Sequence, residues 1–124
     1  MAIKIDNIKA TNIELTPAIS DYLTKKMEML EKFIDQNDTS TSASIEVGKT
    51  TEHHQHGEVF RAEINLLSGG KQFRTVSEEA DLYTAIDMVK DEMARVLSSH
   101  KNKQQTMFKK GATKIKNLLK GFKK

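Results

Sequence analysis

The sequence predicts an α+β domain in the order β-α-β-β-β-α, a four-stranded and mostly antiparallel sheet with two helices packed on one face. Three observations carry that expectation. Two long stretches repeat apolar residues every three or four positions, as amphipathic helices do; shorter stretches alternate apolar and polar residues, as half-buried strands do; and a Gly69-Gly70 pair separates two of the strands. A chain of 124 residues holds one hydrophobic core and is too short for two.

Ile3 and Ile5 alternate with Lys4 and Asp6, which places the first strand over about residues 2–9. Thr16-Pro17 reads as a helix start, because threonine caps and proline at the first helical position gives up no hydrogen bond. Ile19, Tyr22, Leu23, Met27, Leu30, Phe33 and Ile34 then form one apolar stripe, so the first helix is expected over about 17–35. The polar run from Asp35 to Ser42 reads as a loop, and Ile45 and Val47 mark a short second strand. Phe60, Ala62, Ile64 and Leu66 alternate with Arg61, Glu63 and Asn65 in the clearest strand of the chain.

Gly69-Gly70 suits a two-residue hairpin turn, whose positive φ angles glycine tolerates. Pairing Ser68 with Lys71 sets Leu66 opposite Phe73 and Ile64 opposite Thr75 on the buried face. Asn65 then faces Arg74, and Arg61 and Arg74 share the open face. Ser77 is the expected cap of the second helix, over about 79–101, with Glu78, Glu79 and Asp81 at its start and Arg95, His100 and Lys101 at its end. Leu82, Ala85, Ile86, Val89, Met93, Val96 and Leu97 make its apolar stripe. The domain is thus expected over residues 1–101, with a lysine-rich tail over 102–124. Phe108, Ala112, Ile115, Leu119 and Phe122 fall at helical spacing there, so 107–122 suits a short basic amphipathic helix.

The net charge of +3 conceals two unlike parts. Residues 1–100 hold 11 lysines and arginines against 17 acids, whereas residues 101–124 hold nine lysines and no acid. Nine uncompensated lysines imply a polyanionic partner, and DNA, RNA and an anionic membrane surface all meet that condition. With no cysteine there are no disulfides, thiolate metal sites or cysteine nucleophile. The charged N-terminus does not fit a signal peptide, and no stretch approaches the roughly 20 apolar residues of a membrane span, so a cytoplasmic location is expected.

No nucleophile-base pair, phosphate-cradling glycine loop or metalloprotease signature is present, and no enzymatic activity, cofactor or small-molecule substrate is expected. Asp87 and Asp91 share a helical face, but such pairs are far more often solvated surface. His53, His54 and His56 lie close enough to ligate a metal, yet a polar loop is the favoured reading. Arg61 and Arg74 suit bidentate contact with phosphates or, equally, pairing with Glu63 or with each other's acidic neighbours. Lysines on the first helix are, taken alone, ordinary solvated residues.

Asp81-Leu82-Tyr83-Thr84-Ala85-Ile86-Asp87 resembles the D-(M/L)-Y-x-A-I-D signature of the ribosome hibernation-promoting factor family, also called the ribosome-associated inhibitor or sigma-54 modulation protein family. Asn12-Ile13-Glu14-Leu15-Thr16-Pro17-Ala18 resembles the family's N-x-E-x-T-x-A lead-in to helix one, and Lys26, Leu30 and Lys32 match its lysine-leucine pattern. The resemblance covers about residues 2–103. It implies a fold similar to the double-stranded-RNA-binding domain, and binding to the small ribosomal subunit in the decoding region, where tRNA and mRNA are blocked and translation is silenced in stress or stationary phase.

Carried over by position, RNA contacts are expected from Lys25, Lys26, Lys32, Arg74, Lys90, Arg95, Lys101 and Lys103. Arg61 joins through the strand register, and Lys109, Lys110, Lys114 and Lys116 through the charge of the tail. Tyr83 either packs or touches RNA. Met29 and His100 stand where family members often carry a basic and an aromatic residue, and the dimerisation domain of the long forms is absent from these 124 residues. A monomer off the ribosome is expected, with no membrane partner; the competing expectation is a general polyanion or anionic-membrane module acting through the tail.

Overall fold

The computed structural model describes residues 2–35, 37–50 and 57–121, with side chains as far as 103. The chain forms β1 (Lys4–Thr11), α1 (Pro17–Glu28), a 3-10 turn (Glu31–Phe33), β2 (Ser42–Lys49), β3 (Phe60–Ser68), β4 (Lys71–Glu79) and α2 (Leu82–Gly121). The sheet runs β1-β2-β3-β4, with β1 parallel to β2 and the other pairs antiparallel. A parallel neighbour requires a crossover, and α1 supplies it.

One face of the sheet is apolar. Ala43, Ile45 and Val47 of β2, Ala62, Ile64 and Leu66 of β3 and Phe73 of β4 are buried there beneath Ile19, Leu23 and Met27 of α1 and Ile86, Val89 and Met93 of α2. Thr75, also on this face, satisfies its hydroxyl by donating to the carbonyl of Val89 at 3.2 Å. The period-two alternation of β2 and β3 sends the remaining residues to the open face, including Glu46, Arg61, Glu63 and Asn65.

The hairpin register falls where the glycine pair sets it: Ser68 opposes Lys71, Leu66 Phe73, Asn65 Arg74 and Ile64 Thr75. Gly69 and Gly70 take φ of 59° and 76°, the two positive angles of a type I′ turn. Thr16 caps α1 as expected, its Oγ1 accepting from the Ile19 amide at 3.2 Å.

Four boundaries differ from the sequence expectation. β1 lies two residues further along, and Asp6 has no partner in the register between Ile5 and Asn7. That bulge moves the inward set from odd to even positions, so Ile3 and Ile5 are followed by Ile8 and Ala10 against the core. α1 ends at Glu28 and hands over to the 3-10 turn, which keeps Leu30 buried while redirecting the chain. Ser77 caps nothing: β4 continues through Glu79, paired with Phe60. Asp81 is the cap of α2, its Oδ2 accepting from the Thr84 amide at 3.0 Å and the Thr84 hydroxyl at 3.1 Å. Finally, α2 does not stop near residue 101 but continues to Gly121, 40 residues in all.

Candidate ribonucleoprotein interface

The expected RNA-contacting side chains do not form one patch, because the fold distributes them over both faces of the sheet and along both helices. On the open face, β3 and β4 bring Arg61 and Arg74 to the same carboxylate. Glu63 Oε1 accepts from Arg61 Nη2 at 2.8 Å and from Arg74 Nη2 at 2.6 Å, while its Oε2 accepts from Asn65 at 2.8 Å. Burial pushes the Glu63 carboxyl up, but the bonds from Asn65, Arg61 and Arg74 outweigh it and hold the group below the usual carboxylate range. The two arginines are held in place and half neutralised.

The second assembly joins the helices on the other side of the sheet. Tyr22 of α1 and Tyr83 of α2 stack with ring centroids 4.8 Å apart and planes at 23°. The Tyr22 hydroxyl donates to Asp87 at 2.5 Å, and Lys26 pairs with the same carboxylate at 3.0 Å while lying 5.0 Å from the Tyr22 ring centre. The hydrogen bond to Asp87, followed by burial, raises the Tyr22 phenol above its ordinary value, and the bond to Asp87 likewise raises the Lys26 ammonium. Burial pushes Asp87 up, but the Tyr22 and Lys26 hydrogen bonds outweigh it and its carboxyl lies below the usual range. An open cavity beside this cluster is lined by Ala18, Asp21, Tyr22, Lys25, Lys26, Met29 and Tyr83.

These contacts give each position of the D-(M/L)-Y-x-A-I-D segment a physical task. Asp81 caps α2, Leu82, Ala85 and Ile86 are buried, Tyr83 stacks on Tyr22, and Asp87 clasps α1. The remaining expected bases divide by their partners. Lys90 pairs with Asp91, and Arg95 with Glu92 at 2.8 Å. Lys25, Lys32, Lys101 and Lys103 have no ion pair among the described residues; Lys32 lies 5.2 Å from the ring centre of Phe33, and Phe33 and Lys101 line one cavity. Some acids of the domain thus stand directly beside its bases, and these four lysines stand apart from those pairs.

The structure brings three further residues into these surroundings: Tyr22 and Lys71, to which the sequence assigned no binding role, and Met29, which it marked only as a departure from the family pattern. Tyr22 belonged to the core stripe, although a hydroxyl on an apolar stripe demands a partner. Met29 is 51% exposed on the rim of the helix cavity. Lys71 approaches His100 Nδ1 at 3.3 Å, and His100 sets its ring edge-on to Phe73 with centroids 5.2 Å apart. The side chains of Lys109, Lys110, Lys114 and Lys116, and the loop with His53, His54 and His56, lie outside the described residues. Among those described, no group of three or more acidic or histidine side chains is placed to hold a metal, and no helix is long and apolar enough to cross a membrane.

Comparison with known proteins places this arrangement. The family described as sigma 54 modulation protein / S30EA ribosomal protein matches residues 7–105. The ribosome hibernation promoting factor of Klebsiella oxytoca is 35% identical over 97 residues, covering 78% of this chain and 93% of that protein. The ribosome hibernation promotion factor of Bacillus subtilis is 28% identical over 103 residues, 83% of this chain but 51% of the relative, so the chain spans about half of that longer protein. Among solved structures, the N-terminal domain of Thermus thermophilus Protein Y superposes with a TM-score of 0.67 at 29% identity, covering 78% of this chain and 98% of that one.

Proposed function

Since the chain belongs to the sigma 54 modulation protein / S30EA ribosomal protein family, we propose that it binds the small ribosomal subunit in the decoding region, excludes tRNA and mRNA, and silences idle ribosomes. A ribosome-associated hibernation role follows from the names its relatives carry; the subunit and the decoding region are the further step.

The observation that supports the step most is the set of bases left without acid partners. Lys25 and Lys32 lie on the second half of α1 and the turn that follows, and Lys101 and Lys103 lie just past Leu97, the last buried residue of α2 among those described. Phosphates take up such lysines by releasing counterions, so affinity falls with salt by about 0.7 log units for each phosphate neutralised in single strands. Paired bases such as Arg61 and Arg74 position rather than attract, because their charge is already shared.

Co-sedimentation with purified small and large subunits, across a series of salt concentrations, tests the reading. Binding to small subunits that tRNA and mRNA displace, with inhibition of translation in vitro, is the expected result. Binding confined to large subunits, or none at low salt, overturns it. The amphipathic spacing of Phe108, Ala112, Ile115, Leu119 and Phe122 favours a second reading, an anionic membrane surface as the tail's partner. Flotation with anionic vesicles in the absence of ribosomes checks that reading.

A further inference from the structure

Tyr83 is 40% exposed although it stacks on Tyr22, and the cavity in front of the pair, about 510 Å³, is rimmed by a 51% exposed methionine and an unpaired lysine. Packing alone accounts for the side of Tyr83 that meets Tyr22. It leaves the exposed part, and the exposure of Met29 beside it, without a role in the core. Large apolar surface kept in water next to a cation is the composition of a surface that receives something flat and anionic.

The platform is also stiff. Tyr22 is pinned by its hydroxyl on Asp87, Asp87 is held by Lys26, and Tyr83 sits in the first turn of α2 directly after the Asp81 cap. Neither ring needs to be reordered when a ligand arrives, which lowers the entropic cost of stacking on it. Lys25 and Asp21 stand on the same rim. The carboxylate of Asp21 repels phosphate from its side of the cavity, and Lys25 attracts it to the other.

Resting on the ribosome-binding reading above, we propose that Tyr22 and Tyr83 form a stacking platform for one unpaired base of ribosomal RNA, with Lys25 taking the phosphate next to it. The base lies against the exposed part of Tyr83, and Met29 closes the apolar edge of the cavity. Unpaired bases offer a π-face to such platforms whatever their identity, so the site contributes affinity without demanding a sequence.

The chain contains no tryptophan, so Tyr83→Trp introduces a single reporter at the platform. Stacking of a base on the indole is expected to quench its emission when small subunits are added. Tyr83→Leu is expected to weaken binding about tenfold while leaving the salt slope unchanged. Lys25→Ala is expected to lower the slope by about 0.7.

Unquenched or blue-shifted Tyr83→Trp emission in the ribosome complex would mean burial against protein or no contact, and would overturn the proposal. So would wild-type affinity for a Tyr83→Leu protein whose thermal melt shows it folded. If Tyr83→Leu fails to fold, the tryptophan signal still decides. Should the wild-type chain itself ignore small subunits, the ribosome-binding reading fails along with this one; if it binds and only the two Tyr83 variants disappoint, the platform alone is wrong.

Discussion

At the scale of single residues, two carboxylates organise the charged surface. Asp87 ties α2 to Tyr22 and Lys26 of α1, and its depressed pKa means that it stabilises the fold above the ordinary carboxylate value and ceases to do so as pH falls through its folded value. Lys26 and Tyr22, both raised, contribute fully below their ordinary values and lose that contribution only as pH climbs through their folded ones. The clasp is thus intact at neutral pH and releases first on the acid side, as pH falls through the lowered folded value of Asp87. Asp87→Asn should cost about 1–2 kcal/mol at pH 7 and should remove this part of the acid loss, as urea unfolding at pH 7 and pH 3 would show. Glu63 has the opposite relation to binding, since it occupies both arginines of the open face. Glu63→Gln should therefore tighten ribosome binding at low salt, with a slope steeper by about 0.7 for each arginine that reaches a phosphate. An unchanged slope would mean that RNA does not meet this face.

At the scale of elements, what was legible and what was not separate cleanly by range. The β3-β4 register follows from Gly69-Gly70 and the alternation on either side, all local information, and each pair falls where that arithmetic puts it. The start of α1 follows from Thr16-Pro17 in the same way. Ser77 carries an equally good local capping signal and does not cap, because pairing of Glu78 with Arg61 and Glu79 with Phe60 extends β4 past it. The bulge at Asp6 and the end of α1 at Glu28 are likewise decided by how the elements meet the core. Arg61 and Arg74 were placeable on one face from the register, with Glu63 among their candidate partners; that both arginines share this one carboxylate was not legible, since side-chain rotamers decide it. Gly48 shows the same dependence on tertiary approach. A β-carbon there would come within 2.5 Å of the Thr11 carbonyl oxygen, on the backbone of β1. Gly48→Ala should destabilise by about 2 kcal/mol, with β1 displaced from β2 and its amides exchanging faster with solvent. Asp81→Ala should cost about 1 kcal/mol by removing the α2 cap, measurable as a shift in urea midpoint.

At the scale of the whole molecule, an acidic domain and a lysine-rich extension share one helix. Among the described side chains the buried stripe of α2 ends at Leu97, and helix continues to Gly121 through Gly111, whose cost of about 1 kcal/mol does not break it. The shift in composition after Lys101 therefore falls inside one helix. Truncation after Lys103 removes seven lysines and keeps every residue of the buried core found among the described side chains. It should leave the thermal unfolding of the domain nearly unchanged, while the salt slope of ribosome binding falls by at most about 5 log units. At 1.5 Å per residue the last turn of α2 lies about 36 Å along the helix axis from Leu97. Seven lysines from residue 101 to the end of α2, against an excess of acids in the first 100 residues, give the described chain a charge asymmetry along α2. In the field of a polyanion such a body turns before it touches. The extension leads the approach, so salt should act mainly on the rate of encounter and much less on the rate of departure.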